Sequence, residues 1–325
     1  MAIPVIDFSK LNGDERSKTL TQIANCCEDW GFFQLINHGI SEDLLEKVKK
    51  VASECYKFER EGGFENSKPV NLLKELIEKK SDESLVESVD WEDVFLLSDD
   101  NHHEWPSKTP GFKETMKEYR AELKKLAIKV MEVMDENLGL PKGYINKAFN
   151  GGEVEEEEEE NSAFFGTKVS HYPPCPRPDK VNGLRAHTDA GGVILLFQDD
   201  VVNGLQILKD GVWMDVQPMK NAIVINTGDQ IEVLSNGKYK SVWHRVLALP
   251  EGNRRSIASF YNPSYKATIE PAKELLVLQA EKKLLQVAEN SPAKYPKFVF
   301  GDYMSVYAEQ KFLPKEPRFQ AVKAV

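Results

Sequence analysis

The chain of 325 residues has little of what would mark it for export, for a membrane or for nucleic acid. Its four cysteines (Cys26, Cys27, Cys55 and Cys175) are too few for a disulfide framework at this length, and none forms a C-x-x-C pair of the zinc or redox type. A cytoplasmic, reducing location is the expectation. No apolar run approaches the roughly 18 residues that a membrane helix needs. The N-terminus has no basic region, and its apolar start is broken by Pro4 and Asp7, so neither a signal peptide nor a membrane partner is expected. Basic residues are also short: 42 Lys and Arg against 52 Asp and Glu give a formal charge of −10 and a pI near 5.3, which argues against a nucleic-acid partner. Histidine is scarce at six, so any two that share a region carry information.

What the chain does have is an ordinary globular composition, 41% apolar and 10% aromatic, which excludes disorder for most of its length. The size is near the upper end of what one hydrophobic core covers, and one main core with helical elaborations is expected. Seven of the acidic residues lie in 153–160; without them the balance is only −3, so the body is nearly neutral. Such a run of like charges reads as a solvated surface insertion.

Periodicity divides the rest. Ile3–Phe8 reads as a short strand, Asp14–Trp30 as a helix and Gly31–Asn37 as a strand. Ser41, with acids close behind it, predicts a helix cap and a helix from Glu42 to Arg60. The polar stretch from Gly62 to Ser107 is legible only as a strand near Trp91–Leu97. In Phe112–Leu138 the apolar positions Met116, Tyr119, Leu123, Leu126, Val130 and Val133 step by three and four, which predicts a long amphipathic helix stopped by Gly139 and Pro141. From Phe165 to Pro263 the texture changes to short β-rich runs separated by turns: Thr167–Tyr172, Val193–Gln198, Leu205–Leu208, Trp213–Val216, Ala222–Asn226, Tyr239–Leu247 and Ser256–Tyr261. This spacing points to an antiparallel sandwich or jelly roll. Helical periodicity returns at Glu274–Asn290, and the tail from Tyr295 is mixed and basic. Four regions follow: 1–110 strands and helices, 111–164 long helix and acidic loop, 165–265 jelly-roll core, and 266–325 C-terminal helices and tail.

Within the strand-rich region, His187-Thr188-Asp189 places an imidazole and a carboxylate two residues apart, able to face one centre from extended backbone, and His244 follows. Two imidazoles and a carboxylate form the facial triad of mononuclear Fe(II) oxygenases, although zinc could take the same set, and the bare spacing also fits packed histidines. Ten residues on, Arg254 and Ser256 should share a strand face and could bind a carboxylate or bicarbonate. His38, His102, His103 and His171 sit in turn, loop or opposite-face contexts and are left outside the site; Trp243 and Cys175 are read as packing.

These residues stand in a set of segments: Trp30-Gly31-Phe32-Phe33, Asn37-His38-Gly39, Tyr172-Pro173-Pro174-Cys175-Pro176, Leu184-Arg185-Ala186-His187-Thr188-Asp189-Ala190-Gly191-Gly192, Asn226-Thr227-Gly228-Asp229-Gln230 and His244-Arg245-Val246. Together they resemble the plant 2-oxoglutarate/Fe(II) dioxygenase superfamily. Phe165-Gly166-Thr167-Lys168, Ser235-Asn236-Gly237-Lys238-Tyr239 and the tail Lys315-Glu316-Pro317-Arg318-Phe319 make the 1-aminocyclopropane-1-carboxylate oxidases the nearest resemblance, over nearly the whole chain.

The resemblance implies a mixed α and β fold, a double-stranded β-helix (jelly roll) with flanking N-terminal and C-terminal helices. It implies Fe(II) on His187, Asp189 and His244, ascorbate as reductant, bicarbonate or CO2 as activator, and oxidation of 1-aminocyclopropane-1-carboxylate with O2 to ethylene, CO2 and cyanide. By position it gives catalytic roles to Lys168, Arg185, Arg254 and Ser256. It gives contacts to cofactor, activator or reductant to Lys168, Tyr172, Arg254, Ser256, Lys315 and Arg318, the last two in a tail that closes over the pocket. A monomer acting on a small molecule is expected. A 2-oxoglutarate-dependent hydroxylase or desaturase would use the same triad and the same Arg254/Ser256 pair, and a silent jelly-roll binding protein is the third possibility. The acidic run at 153–160 and a further stretch at about 277–290 depart from the family's pattern as loop expansions.

Overall fold

A computed structural model describes residues 2–78, 90–152, 162–277 and 293–322. The acidic run at 153–160, and all but the first residue of the 277–290 stretch, lie outside the described residues. The strands are β1 (Val5–Asp7), β2 (Phe32–Ile36), β3 (Asp93–Leu97), β4 (Phe164–Tyr172), β5 (Asn182–His187), β6 (Val193–Gln198) and β7 (Leu205–Lys209). They continue with β8 (Val212–Asp215), β9 (Ile223–Thr227), β10 (His244–Leu247), β11 (Arg254–Asn262), β12 (Thr268–Ile269) and β13 (Phe298–Val299). A seven-stranded sheet in the order β1-β2-β9-β6-β11-β4-β3 faces a four-stranded sheet in the order β5-β10-β7-β8, the two walls of the expected jelly roll.

Period-two alternation decides what each wall shows to the interior. On β11 the even residues Arg254, Ser256, Ala258 and Phe260 line the cavity between the sheets; on β4 Lys168, Ser170 and Tyr172 do so, and on β6 Ile194 and Leu196. The register holds these faces together, with Arg254 opposite Tyr172, Ser256 opposite Ser170 and Ala258 opposite Lys168. The odd residues Val169, Leu195, Phe197 and Ile257 turn the other way into the main core.

That outer face is covered by helices. They are α1 (Arg16–Asn25), α2 (Glu42–Cys55), α5 (Phe112–Leu138) and α6 (Tyr144–Phe149), with α7 (Asp229–Leu234), α8 (Phe300–Gln310) and α9 (Lys315–Ala321) further on, while α3 (Glu61–Glu65) and α4 (Lys68–Glu78) pack in a separate cluster with Trp91, Cys175 and Ala248. Helix α5 has the predicted bounds, and its stripe from Phe112 to Leu138 is buried. Ser41 caps α2 by accepting the Leu44 N–H at 3.2 Å. One cluster of buried side chains runs from Ile6 to Val322 and draws on all four regions of the chain.

Several elements differ from the sequence expectation for local reasons. Helix α1 ends at Asn25 and widens into a π-turn over Cys26–Trp30, which Gly31 closes at φ +62°; a Cβ there would collide with the Lys240 carbonyl and Val242. The expected strand over Tyr239–Leu247 begins only at His244. Its first half is pinned by loop contacts instead: the Lys240 N–H donates to Cys27 O at 3.0 Å and the Ser241 N–H to Glu232 at 2.6 Å. Helices α3 and α7, of five and six residues, are too short to show a period, and the Gly- and Arg-containing β5 is a strand because β10 pairs with it. Residues 273–277 are helical, and the remainder of the helix expected there lies outside the described residues.

Candidate metal centre and its cavity

His187 closes β5 and His244 opens β10, and the antiparallel pairing puts them directly opposite one another. Asp189 lies two residues beyond β5. The carboxylate oxygens stand 3.7 Å from His187 Nε2 and 3.5 Å from His244 Nε2, and one ligand atom from each residue falls within 4.8 Å of the others. Both imidazoles are oriented by the chain itself: His187 Nδ1 bonds Arg185 O at 2.8 Å and His244 Nδ1 bonds Val242 O at 3.1 Å. Because a carbonyl can only accept, each Nδ1 carries the proton and each Nε2 presents a lone pair to the shared centre. Asn226 Nδ2 donates to Asp189 Oδ2 at 2.8 Å and fixes the carboxylate. Burial, with His244 and Lys311 nearby, holds His187 well below its ordinary pKa and so neutral, the form a metal requires. The donor set is two nitrogens and one oxygen converging from one side, which fits Fe(II) and leaves positions open.

The centre sits in a cavity of about 260 Å³. Phe32, Leu184, Leu196, Leu205 and Val246 make its apolar walls. Arg254, 2% exposed, reaches in from β11: its Nη2 donates to Gln198 Oε1 at 3.0 Å and its guanidinium lies 5.1 Å from the Tyr172 ring. Its Nε and Nη1 have no hydrogen-bond partner among the described residues. A buried cation with two unused N–H groups is costly unless an anion meets it. Ser256 lies beside it on the same face.

The other sequence candidates divide. Lys168 and Tyr172 line the cavity and share one partner, Glu92. Arg185 is held off the cavity lining by Asp90, with its guanidinium 3.7 Å from the Phe312 ring. Lys315 and Arg318, expected to close over the pocket, do not line it; both are engaged behind the centre. Lys315 donates to Glu232 at 2.7 Å and to Ser241 O at 2.6 Å. Arg318 is fully buried, donating to Thr188 Oγ1 at 2.7 Å and to Asp229 Oδ2 at 3.3 Å, while Tyr303 donates to the same Asp229 oxygen at 2.6 Å and Tyr307 to Thr188 O at 2.7 Å. The loop carrying Asp189 is thus gripped from behind by α7, α8 and α9. Gly228 is needed there, because a Cβ would strike the Gly191 carbonyl.

The histidines set aside behave as expected. His38 bonds Asn221 O at 2.9 Å; His171 stacks on Tyr56 with ring centroids 3.5 Å apart and bonds Asn253; His102 and His103 lie in an exposed 3-10 turn. Sequence reasoning missed Glu92, Asp90, Asn226, Gln198 and Lys311. Lys311, in the connection between α8 and α9, lines the cavity and has no ion-pair partner among the described residues. Asn226 lies in the Asn226–Gln230 segment, but nothing in a single sequence signals that Lys311 lines the cavity or that Glu92, Asp90 and Gln198 bond the basic residues around it.

Comparison with known proteins agrees with this geometry. Residues 163–263 match the 2OG-Fe(II) oxygenase superfamily model, and residues 3–116 match a model described as the N-terminal region of non-haem dioxygenase in morphine synthesis. Over the full length of both chains the protein is 70% identical to 1-aminocyclopropane-1-carboxylate oxidase 5 of Arabidopsis thaliana and 67% identical to 1-aminocyclopropane-1-carboxylate oxidase of Musa acuminata. Among solved structures, JOX2 in complex with 2OG, Fe and JA superposes with a TM-score of 0.77 at 32% identity, covering 100% of this chain and 90% of that one. Full-length identity at this level to the curated relatives, joined to a buried His-Asp-His centre inside a jelly roll, places the chain in the 1-aminocyclopropane-1-carboxylate oxidase family of the 2OG-Fe(II) oxygenase superfamily.

Proposed function

We propose that the protein oxidises 1-aminocyclopropane-1-carboxylate with O2 and ascorbate to ethylene, CO2 and cyanide, as a monomer in the cytoplasm, with bicarbonate or CO2 as activator. The observation that carries the reading is one small cavity holding an open His187/Asp189/His244 centre and a buried Arg254 with two unused N–H groups. A small amino acid with a carboxylate at one end matches both features. Held by the three residues, Fe(II) supplies the one-electron oxidation with O2 that opening a cyclopropane ring needs and no side chain can perform. No helix among the described residues is long and apolar enough to cross a membrane.

In this reading the chain's own groups bind, orient and exclude water. Arg254, backed by Gln198, receives the carboxylate or bicarbonate, with Ser256 beside it. The apolar wall keeps bulk solvent from the centre, which strengthens the charge interactions inside. Lys168 and Tyr172 form the polar wall on β4. Lys315 and Arg318 act at one remove, through α7 and Thr188.

The test is headspace ethylene from purified protein supplied with Fe(II), ascorbate, bicarbonate and 1-aminocyclopropane-1-carboxylate, without 2-oxoglutarate, beside a His187→Ala control. Ethylene from the wild type alone supports the reading. No ethylene, with iron bound and 2-oxoglutarate consumed in a parallel assay, overturns it and makes Arg254 the anchor of that cosubstrate.

A further inference from the structure

Resting on the proposed oxidation, the geometry points to Asp90 and Glu92 as positioning residues that set the charge and shape of the cavity's basic wall. Both come from one short segment outside the jelly roll's two sheets, just before β3, which no motif marks.

Glu92 is the shared acceptor of two cavity-lining groups. Its Oε1 accepts the Tyr172 hydroxyl at 2.6 Å, and the Lys168 ammonium donates to both oxygens, at 2.8 and 2.9 Å. The carboxylate is 5% exposed, so this pairing is little screened by water. Asp90 pairs with Arg185 just outside the cavity lining, accepting its backbone N–H at 2.9 Å and its Nε at 3.0 Å. That arginine's own carbonyl orients the His187 ring, so Asp90 is two bonds of contact from a metal-ligand candidate. The residue between them is the anchor. Trp91, 4% exposed, donates its indole N–H to Pro173 O at 2.9 Å and its backbone N–H to Asn182 O at 2.8 Å, while its ring meets Phe64 edge-on.

The consequence is electrostatic. Lys168 and Arg185 are each matched by a carboxylate, whereas Arg254 and Lys311 have no carboxylate partner among the described residues. An incoming anion is therefore drawn toward Arg254 and Lys311, and Lys168 is kept on the wall as a fixed, neutralised contact. Without Glu92 the lysine would be free to swing to the anion and compete with Arg254 for it.

Four purified variants test this: Glu92→Gln, Glu92→Asp, Lys168→Met and the double variant Glu92→Gln/Lys168→Met. Each is read by ethylene kinetics and by calorimetric titration of bicarbonate into the metal-free protein, with circular dichroism to confirm folding. Glu92→Gln is expected to lower kcat by roughly tenfold and to tighten bicarbonate binding by about threefold, because one positive charge is unmasked. Glu92→Asp keeps the charge but loses reach, so kcat should fall while bicarbonate affinity stays at the wild-type value. The double variant should lose no more kcat than Lys168→Met alone and return bicarbonate affinity to the wild-type value. Unchanged kinetics in a folded Glu92→Gln, or losses that multiply in the double variant, overturn the inference while wild-type ethylene leaves the proposed function standing. If the wild type makes no ethylene the function falls, and the bicarbonate titrations still decide the charge argument: unchanged affinity in folded Glu92→Gln refutes it.

Discussion

Removing the guanidinium of Arg318 tests the claim that the C-terminal helix supports the metal loop from behind. Arg318 and Asp229 are both fully buried, and the Asp229 carboxylate also accepts from the Tyr303 hydroxyl at 2.6 Å and from Thr188 Oγ1 at 3.3 Å. Arg318→Met would leave a buried carboxylate without its counter-charge and Thr188 Oγ1 without its 2.7 Å donor. Breaking a buried pair on one side costs about 3–5 kcal/mol, whereas replacing both partners by neutral groups is close to neutral. At the usual unfolding entropy per residue, a chain of this length shifts about 1.5 °C in Tm per kcal/mol, so the single variant should melt roughly 4–7 °C lower. Thr188 sits between two of the three ligand candidates, and displacing support of this kind typically weakens metal binding by about 10–100-fold. The assays are scanning calorimetry and Co(II) titration followed by its visible spectrum. The double variant Arg318→Met/Asp229→Asn should recover most of the lost Tm, since no unpaired charge remains. A single variant that melts within about a degree of wild type, or a double variant as unstable as the single, would refute the buried-pair reasoning, because it predicts a one-sided loss. Unchanged Co(II) affinity with an altered bicarbonate response would place Arg318 on the ligand's side of the loop instead.

Further outcomes follow from the same geometry. His187→Ala, Asp189→Ala and His244→Ala should each abolish stoichiometric Fe(II) binding in equilibrium dialysis, and wild-type affinity in any one would remove that residue from the centre. Arg254→Ala should keep the metal but lose the bicarbonate response, and a retained bicarbonate response would disprove the anion role. Burial, reinforced by Arg255 and opposed by the Asn253 bond, lowers the His171 pKa from 6.5 to about 4. Its stabilising contribution is complete above pH 6.5 and lost as pH falls toward 4, because the unfolded chain takes up the proton first; the loss is on the order of 3 kcal/mol. Melting curves between pH 7 and 4.5 should show that slope flattened in His171→Phe, and equal slopes would contradict it.

The sequence by itself determined the strand-rich core, the bounds of α5, the Ser41 cap and the H-x-D pair, because these rest on local periodicity, on backbone preferences and on short spacing; that His244 joins the pair was decided by the pairing of β10 with β5. His187 and Asp189 are two residues apart, and Arg254 and Ser256 share a face for the same reason of strand pleating. Where an element depended on a distant partner, the local signal failed. β5 is weak in its own right and exists because β10 pairs with it, whereas Tyr239–Trp243 is β-rich yet is held in a loop by Cys27 and Glu232. The charges show the division most clearly. Sequence could name Lys168, Arg185, Arg254, Lys315 and Arg318 as basic residues near the chemistry, but not which of them remains free. That was decided by carboxylates from remote segments: Glu92 and Asp90 from the stretch before β3, Glu232 and Asp229 from α7. Only the folded arrangement brings those counter-charges into contact, and by occupying four of the five cations it leaves Arg254 with open N–H groups toward the cavity.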